Sequence, residues 1–557
     1  MKRREIIKTL AAIPVAGGIM SIEPLLGQGN KKKPANDAGL LSNPEPGALA
    51  LGPKIYQSIG VEPVINCKGT FTAIGGSLEL PEVRNAVDNA ALNYVFIDEL
   101  AMAVGKRLGE ITGAEWGMVS SGCAAGMKHV TVACITDGDP EKLVRVPDLT
   151  GFTKTEVIAP RYSRNQYDHA IRNAGVKLIT VDTMEELKSA ISSRTALIYL
   201  FSAPRDYDNG PLSIDNVAAV AKENNIPILV DAAAEVLTIP NIHLQRGATI
   251  AAYSGGKAIR GPQCAGLLLG RKDLLFSAWQ ASSPHHGPGR DNKVGKEEHV
   301  GMLAAVETWV KRNHAEEEKQ WIAWLETISK KINTIKGVTT KITEPQGVDN
   351  RSARLSISWD PLVLNLTGEE AVEDLGNNKP RIVLTGRTNQ REGTASVSIS
   401  AHMMQPGDDK IVAERIYNLL SQKRDKKNIT VEPPADNLTG SWDVSVEYYS
   451  GTGMHKLFLD KQEGNEVRGI HQSTFSMLDL AGVIDGKKVT LRSNYHDNAE
   501  SIPFTFDGLL DGNSFSGVLY LGEYRSANFT AKRTEYNERP VNNITIPSHG
   551  GKKVDSW

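Results

Sequence analysis

Three apolar runs, each ending in polar residues, constrain this chain more than any other feature. Trp116-Gly-Met-Val119 runs into Ser120-Ser121-Gly122-Cys123-Ala124-Ala125-Gly126. Ile226-Pro-Ile-Leu-Val230 ends in Asp231. Ala248 to Tyr253 leads into Ser254-Gly255-Gly256-Lys257-Ala258-Ile259-Arg260-Gly261-Pro262-Gln263. Short apolar runs separated by helical stretches read as parallel strands buried on both faces. In an open α/β sheet, ligands bind outside the carboxyl ends of such strands. One edge of the sheet is therefore expected to carry a glycine-rich turn, a carboxylate and a lysine, in that order along the chain.

These groups match the needs of pyridoxal 5'-phosphate (PLP): a cradle for the phosphate, an acid facing the pyridinium nitrogen and a lysine for the Schiff base. Each piece alone is weak. A lysine near glycines is usually a solvated loop residue, Ser-x-x-Lys also occurs in serine hydrolases, and a strand-end aspartate is common in doubly wound folds. Their order and spacing carry the reading. Gly122 to Cys134 should be the helix after the phosphate turn, with its free N–H groups and dipole favouring an anion.

Ser254 to Gln263 resembles the lysine motif of the selenocysteine-synthase-like branch of fold-type I PLP enzymes. That branch includes bacterial seryl-tRNA selenium transferase and D-glucosaminate-6-phosphate ammonia-lyase. Val64-Ile-Asn-Cys-Lys-Gly-Thr70, Gly113-Ala-Glu115, Val230-Asp-Ala-Ala-Ala234, Gly289-Arg290 and Lys293-Val-Gly-Lys-Glu-Glu298 also match. The resemblance runs from about Ile55 to Leu420. It implies an α/β fold with a PLP-binding large domain, 53–330, and a small α+β domain, 331–420. It also implies a homodimer or higher homo-oligomer with the active site at a subunit interface.

The resemblance further implies roles for individual residues. Lys257 and Asp231 are catalytic. Ser121, Gly122, Cys123 and Ala124 hold the phosphate, mostly through backbone, with Ser254 adding a hydroxyl. A ring-stacking side chain is expected in the run from Arg161 to His169, and the spacing leaves both Tyr162 and His169 open. Arg290 and Lys293, on a loop from His285 to Glu298 expected to be flexible, would contact phosphate or substrate in the neighbouring subunit. Arg161, Arg164 and Arg290 are candidates for gripping an anionic substrate group, although surface arginines are commoner than ligand-binding ones. The adjacent His285 and His286 lack partners for a metal, and none is expected.

Elsewhere along the 557 residues, the formal net charge of −2 gives no basic footprint for nucleic acid. The four cysteines form no CxxC pair and are expected to be free thiols. Lys2 to Lys8 is basic and Thr9 to Met20 modestly apolar, too short to span a bilayer. This reads as a signal peptide over 1–26, and Arg3-Arg4 before two isoleucines resembles a twin-arginine signal, implying a periplasmic or secreted protein. No stable membrane anchor is indicated. Residues 27–52 and 421–437 read as linkers. Val300 to Ile332 forms one long helical pattern. Between 338 and 399 three segments alternate at period two, and Lys410 to Leu420 is amphipathic, which together give the small domain. From 438 to 534, hairpin signals at Glu463-Gly-Asn465, Asp485-Gly486 and Asp511-Gly-Asn513 punctuate strand-like segments. Gly440-Ser-Trp442 and Arg533 resemble the opening and closing residues of lipocalin-like barrels, so an all-β meander or barrel is expected there. The tail, 535–557, reads as disordered.

The reading is an exported PLP-dependent lyase acting by α,β-elimination on a small amino acid or amino sugar acid. Its competitors are a PLP-dependent transferase, either an aminotransferase or selenium-transferring, and a non-catalytic PLP-fold scaffold whose β domain binds a ligand.

Overall fold

The computed structural model describes residues 47–389, 391–425, 431–494 and 501–534. The expected signal segment and the 535–557 tail lie outside the described residues. The apolar runs form one seven-stranded sheet in the spatial order Trp116–Ser120, Gly266–Gly270, Ile250–Ser254, Ile228–Asp231, Thr195–Phe201, Glu156–Pro160, Lys177–Val181. Gly266–Gly270 runs antiparallel to both its neighbours, and the other strands are mutually parallel. Ser120, Asp231 and Ser254 therefore end at the same edge. Helices on both faces keep these strands dry, so Glu156–Pro160 and Gly266–Gly270 are buried along their whole length.

The Val300 to Ile332 pattern is two helices, not one. Lys296–Trp309 contributes Met302, Ala305 and Val306 to the core of the large domain. His314–Ile332 turns Leu325, Ile328 and Ile332 into a second core. The break falls where the chain passes from one core to the other. There Asn313 accepts the Glu316 N–H at 3.2 Å and restarts the helix. Around the second core lies an antiparallel sheet, Thr385–Asn389, Thr394–Ser400, Arg354–Trp359 and Val338–Thr343 in spatial order. Gly368–Asn377 and Asp408–Ser421 supply its remaining helices of more than one turn. The N-terminal strand Ile65–Asn66 pairs in parallel with Ile382–Val383, and Cys67 is buried in this second core.

Gly440 to Thr534 forms a closed barrel of eight antiparallel strands, the last pairing with the first. Gly464, Gly486 and Gly512 open its tight hairpins at φ values of 58°, 58° and 59°, which glycine adopts without a Cβ penalty. The Arg533 guanidinium lies 4.4 Å from the Trp442 ring and donates to the carbonyls of Asn437 and Thr439. The lipocalin-like pair thus closes one end of the barrel. Its interior is filled by an apolar core that includes Trp442, Phe506, Phe515 and Phe529. The end of the expected 421–437 linker docks on this barrel: Glu432 N–H donates to Asp485 Oδ1 at 2.6 Å and Ala435 N–H to the Gly486 carbonyl at 2.8 Å.

Candidate active site

The sheet edge is built first by a helix start. Gly122, at φ +82°, turns the chain sharply out of the Trp116–Ser120 strand into the helix Gly122–Thr136. Every residue of that helix is buried except Gly122 and Ala124, at its N-terminal end. No side chain caps it. Its first N–H groups, with Ser121 beside them, are left as donors for an anion.

Asp231 ends its strand 1 % exposed. Its Oδ1 accepts the Ala233 N–H at 3.1 Å and the Cys123 thiol at 3.6 Å. Its Oδ2 accepts the Tyr199 hydroxyl at 3.2 Å. Burial pushes this carboxyl above the usual carboxylate range, while the Ala233 N–H, the Lys257 ammonium and the Tyr199 and Cys123 donors pull it back down. Burial and the Asp231 charge push the Cys123 thiol well up, so it serves as a neutral donor and not as a nucleophile. All four cysteines are free thiols, and three are buried.

Lys257 sits in a turn that only glycines permit. A Cβ on Gly256 would stand 2.5 Å from Gln263 Oε1 and 2.7 Å from Gln263 Cα. Gly255 N–H donates to the Ala265 carbonyl and Gly261 N–H to the Gly255 carbonyl, both at 2.8 Å, folding Ser254 to Ala265 into a tight loop. The Lys257 side chain is half-buried and makes no hydrogen bond or ion pair among the described residues. It lies within electrostatic reach of Asp231 and of Asp349.

Asp349 comes from the small domain. Its loop is stitched to the segment after Asp231 by Val236 N–H to the Val348 carbonyl and Asn350 N–H to the Ala234 carbonyl, both 3.0 Å. Burial pushes the Asp349 carboxyl up, and the neighbouring Lys257 and Arg354 charges oppose that shift. Glu235, in the same segment, is buried with His243, whose Nε2 lies 2.7 Å from Glu235 Oε2 and whose Nδ1 lies 2.6 Å from the Tyr207 hydroxyl.

The remaining expected residues are placed differently. Arg161 makes a bidentate pair with Asp182 at 2.6 and 2.7 Å. Arg164 pairs with the buried Asp168 at 2.6 Å. These carboxylates engage the two guanidinium groups that were expected to face a substrate anion. The Tyr162 hydroxyl donates to the Leu212 carbonyl at 2.8 Å, and its charged neighbours are Asp206, Asp208 and Arg246, not Asp231 or Lys257. His169 is exposed at the start of a one-turn helix. Arg290 is exposed, and its side chain makes no ion pair among the described residues. Its loop is docked on its own subunit, with Lys128 Nζ 2.8 Å from Asp291 Oδ1 and Gly289 N–H 2.9 Å from the Ala281 carbonyl. Tyr199, which does reach Asp231, and Asn165, which reaches Tyr199, gave one signal in the sequence. A tyrosine inside a fully buried strand must find a polar partner for its hydroxyl.

Three groups thus come together at this sheet edge: the N–H groups of the uncapped helix, the Asp231 carboxylate and the amine of Lys257. The phosphate, pyridinium nitrogen and aldehyde of pyridoxal phosphate are the matching complement.

Comparison with known proteins agrees. Residues 165–293 match the aminotransferase class-V family. The chain is 32% identical over 331 residues to D-glucosaminate-6-phosphate ammonia lyase of Salmonella typhimurium, covering 57% of this chain and 86% of that protein. It is 26% identical over 380 residues to a 5'-C-glycyluridine monooxygenase-decarboxylase of Streptomyces, covering 66% of this chain and 92% of that one. A solved structure of D-glucosaminate-6-phosphate ammonia-lyase superposes with a TM-score of 0.60 at 28% identity, over 67% of this chain and 100% of the other.

Proposed function

The chain belongs to the family of D-glucosaminate-6-phosphate ammonia lyase, within the selenocysteine-synthase-like branch of fold-type I pyridoxal-phosphate enzymes, and from that premise we propose that it is an ammonia lyase. Its substrate is a small amino acid or amino sugar acid with a hydroxyl β to the amine. Water is lost across Cα–Cβ, and the enamine hydrolyses to a keto product and ammonia. The observation that carries the reading is the buried Asp231 in reach of Lys257, at the strand edge where an uncapped helix begins.

Bound there, pyridoxal phosphate supplies an electron sink for the developing carbanion. The chain's own residues do the rest. Backbone donors at Gly122, Cys123 and Ala124, with Ser121 and Ser254, hold the phosphate. Asp231 keeps a proton on the ring nitrogen. Lys257 would be the attachment point for the cofactor aldehyde, and the Lys257 Nζ would be the base that accepts the proton from the substrate Cα. Arg290 is the expected arginine left to meet an anionic substrate group.

The test is ammonia release from hydroxy-amino acids and amino sugar acids, with and without 2-oxoglutarate. Purified protein should absorb in the visible, and Lys257→Ala should lose both that band and turnover. Turnover strictly dependent on 2-oxoglutarate would make the enzyme an aminotransferase. A colourless protein that takes up no added cofactor would end the enzyme reading.

The working unit in this reading is a homodimer. Leu92, Tyr94 and Phe96 are 80%, 101% and 77% exposed. Phe71 and Leu78 are also exposed, and Arg260 Nε of the lysine turn donates to the Leu78 carbonyl at 2.9 Å. A second copy is the natural cover for such a patch. The Arg3-Arg4 pattern supports export to the periplasm or beyond.

A further inference from the structure

We infer that Asn165 and Tyr199 form a positioning relay for Asp231, and that the ring nitrogen of bound pyridoxal phosphate shares its proton with Asp231 Oδ2, beside Tyr199. The inference rests on the cofactor reading and not on the identity of the substrate.

An ionised carboxylate offers about four acceptor sites on its two oxygens. Ala233 N–H and the Cys123 thiol occupy those of Oδ1. Tyr199 takes one on Oδ2. The open site is therefore the second one on Oδ2, so Tyr199 acts on the same oxygen that meets the cofactor.

The direction of the Tyr199 hydrogen is fixed by Asn165. Asn165 Oδ1 accepts the Tyr167 N–H at 2.7 Å, which identifies that atom as the oxygen. Nδ2 is then the donor, to the Ser163 carbonyl at 3.1 Å and to Tyr199 Oη at 3.3 Å. A hydroxyl has one hydrogen. With an amide donor on its other side, Tyr199 directs that hydrogen at Asp231. Asn165 is 7% exposed and Tyr199 fully buried, so no solvent competes. The loop carrying Asn165 is pinned from below, where buried Asp168 takes both Arg164 at 2.6 Å and Arg172 at 2.8 Å. The run from Arg161 to His169 thus serves the site through Asn165.

A donor to an anionic carboxylate lowers its basicity. Removing it moves the shared proton from the ring nitrogen towards Asp231 and weakens the electron sink. Tyr199→Phe keeps the ring and deletes the hydroxyl, leaving Asn165 its bond to Ser163. In the holoenzyme the variant should bind pyridoxal phosphate about tenfold more weakly, the scale of one hydrogen bond to a charged group. Nitrogen NMR of isotope-labelled cofactor should show the ring nitrogen moving towards its unprotonated position, and kcat should fall more than KM changes. Asn165→Asp, which keeps the acceptor for Tyr167 N–H but replaces the donor with an acceptor, should shift the nitrogen signal the same way. It decides the matter if Tyr199→Phe does not fold. Tyr162→Phe, whose hydroxyl is bound to Leu212, should change neither signal nor affinity. Wild-type affinity and an unmoved nitrogen signal in Tyr199→Phe would overturn the relay. A wild-type protein that binds no cofactor would overturn the cofactor reading itself, and the relay with it.

Discussion

Lys128 reaches from the buried Gly122–Thr136 helix to Asp291, its Nζ lying 2.8 and 2.9 Å from the two carboxylate oxygens. The lysine side chain is 9% exposed and the aspartate 67%. The ammonium therefore depends on a carboxylate supplied by the loop that bears Arg290. Asp291→Ala would leave that ammonium with Asn292, 3.1 Å away, as its remaining partner. We expect a loss of about 1–3 kcal/mol in stability, because a buried charge is left poorly paired. Lys128→Met, which removes the charge as well, should cost less. Both variants should open the 284–296 loop to protease and raise KM. Denaturation midpoints and cleavage patterns identical to wild type would contradict this.

Inside the barrel, His455 Nδ1 lies 3.0 Å from His471 Nε2, and the Tyr448 hydroxyl lies 3.1 Å from His455 Nε2. Phe504 and Phe506 stand edge-on to His471. Burial lowers His455 from 6.5 to about 4, and burial with the His455 charge lowers His471 from 6.5 to about 3. Both are neutral in the fold at pH values where the unfolded chain binds protons. The contribution of this pair to barrel stability should be constant above about pH 7 and fall as pH drops through 6.5 towards 4, by at most about 2.7 kcal/mol per pH unit when both titrate. His471→Phe should flatten that slope. An unfolding midpoint independent of pH over this range would refute the assignment.

The barrel has its own closed hydrogen-bond network and its own core. A chain ending at Asp425 should therefore keep the solubility, the oligomeric state and the affinity for pyridoxal phosphate of the full chain. Gel filtration and cofactor titration check this. Loss of soluble protein, or a smaller assembly than the full chain forms, would show that the barrel is structural to the enzyme.

Export is tested at the paired arginines. Replacing both Arg3 and Arg4 with lysine should strand the protein in the cytoplasm, and the mature wild-type protein should lack Lys2 to about Met20. Fractionation followed by N-terminal sequencing reads both. A wild-type protein found in the cytosol with its N-terminus intact would exclude the export reading.

Periodicity and turn chemistry along the chain are enough to locate part of this site. The apolar runs at Trp116, Ile226 and Ala248, with the motif residues that follow them, placed Gly122, Asp231 and Lys257 at one sheet edge, because a parallel strand ends where its polar residues begin. The glycines at 464, 486 and 512 marked the barrel hairpins for the same local reason. Which partners the side chains found depends on packing between distant elements. Arg161 and Arg164 carry the same charge as Arg290, but neighbouring strands and turns brought Asp182 and Asp168 to them. Asn165 meets Tyr199 across 34 residues, and Tyr199 meets Asp231 across 32. The Val300 to Ile332 pattern split at Asn313 because its two halves face different cores. A hydrogen bond or ion pair depends on side-chain positions to within about half an ångström. That precision is set by packing between elements, which no local pattern along the chain records.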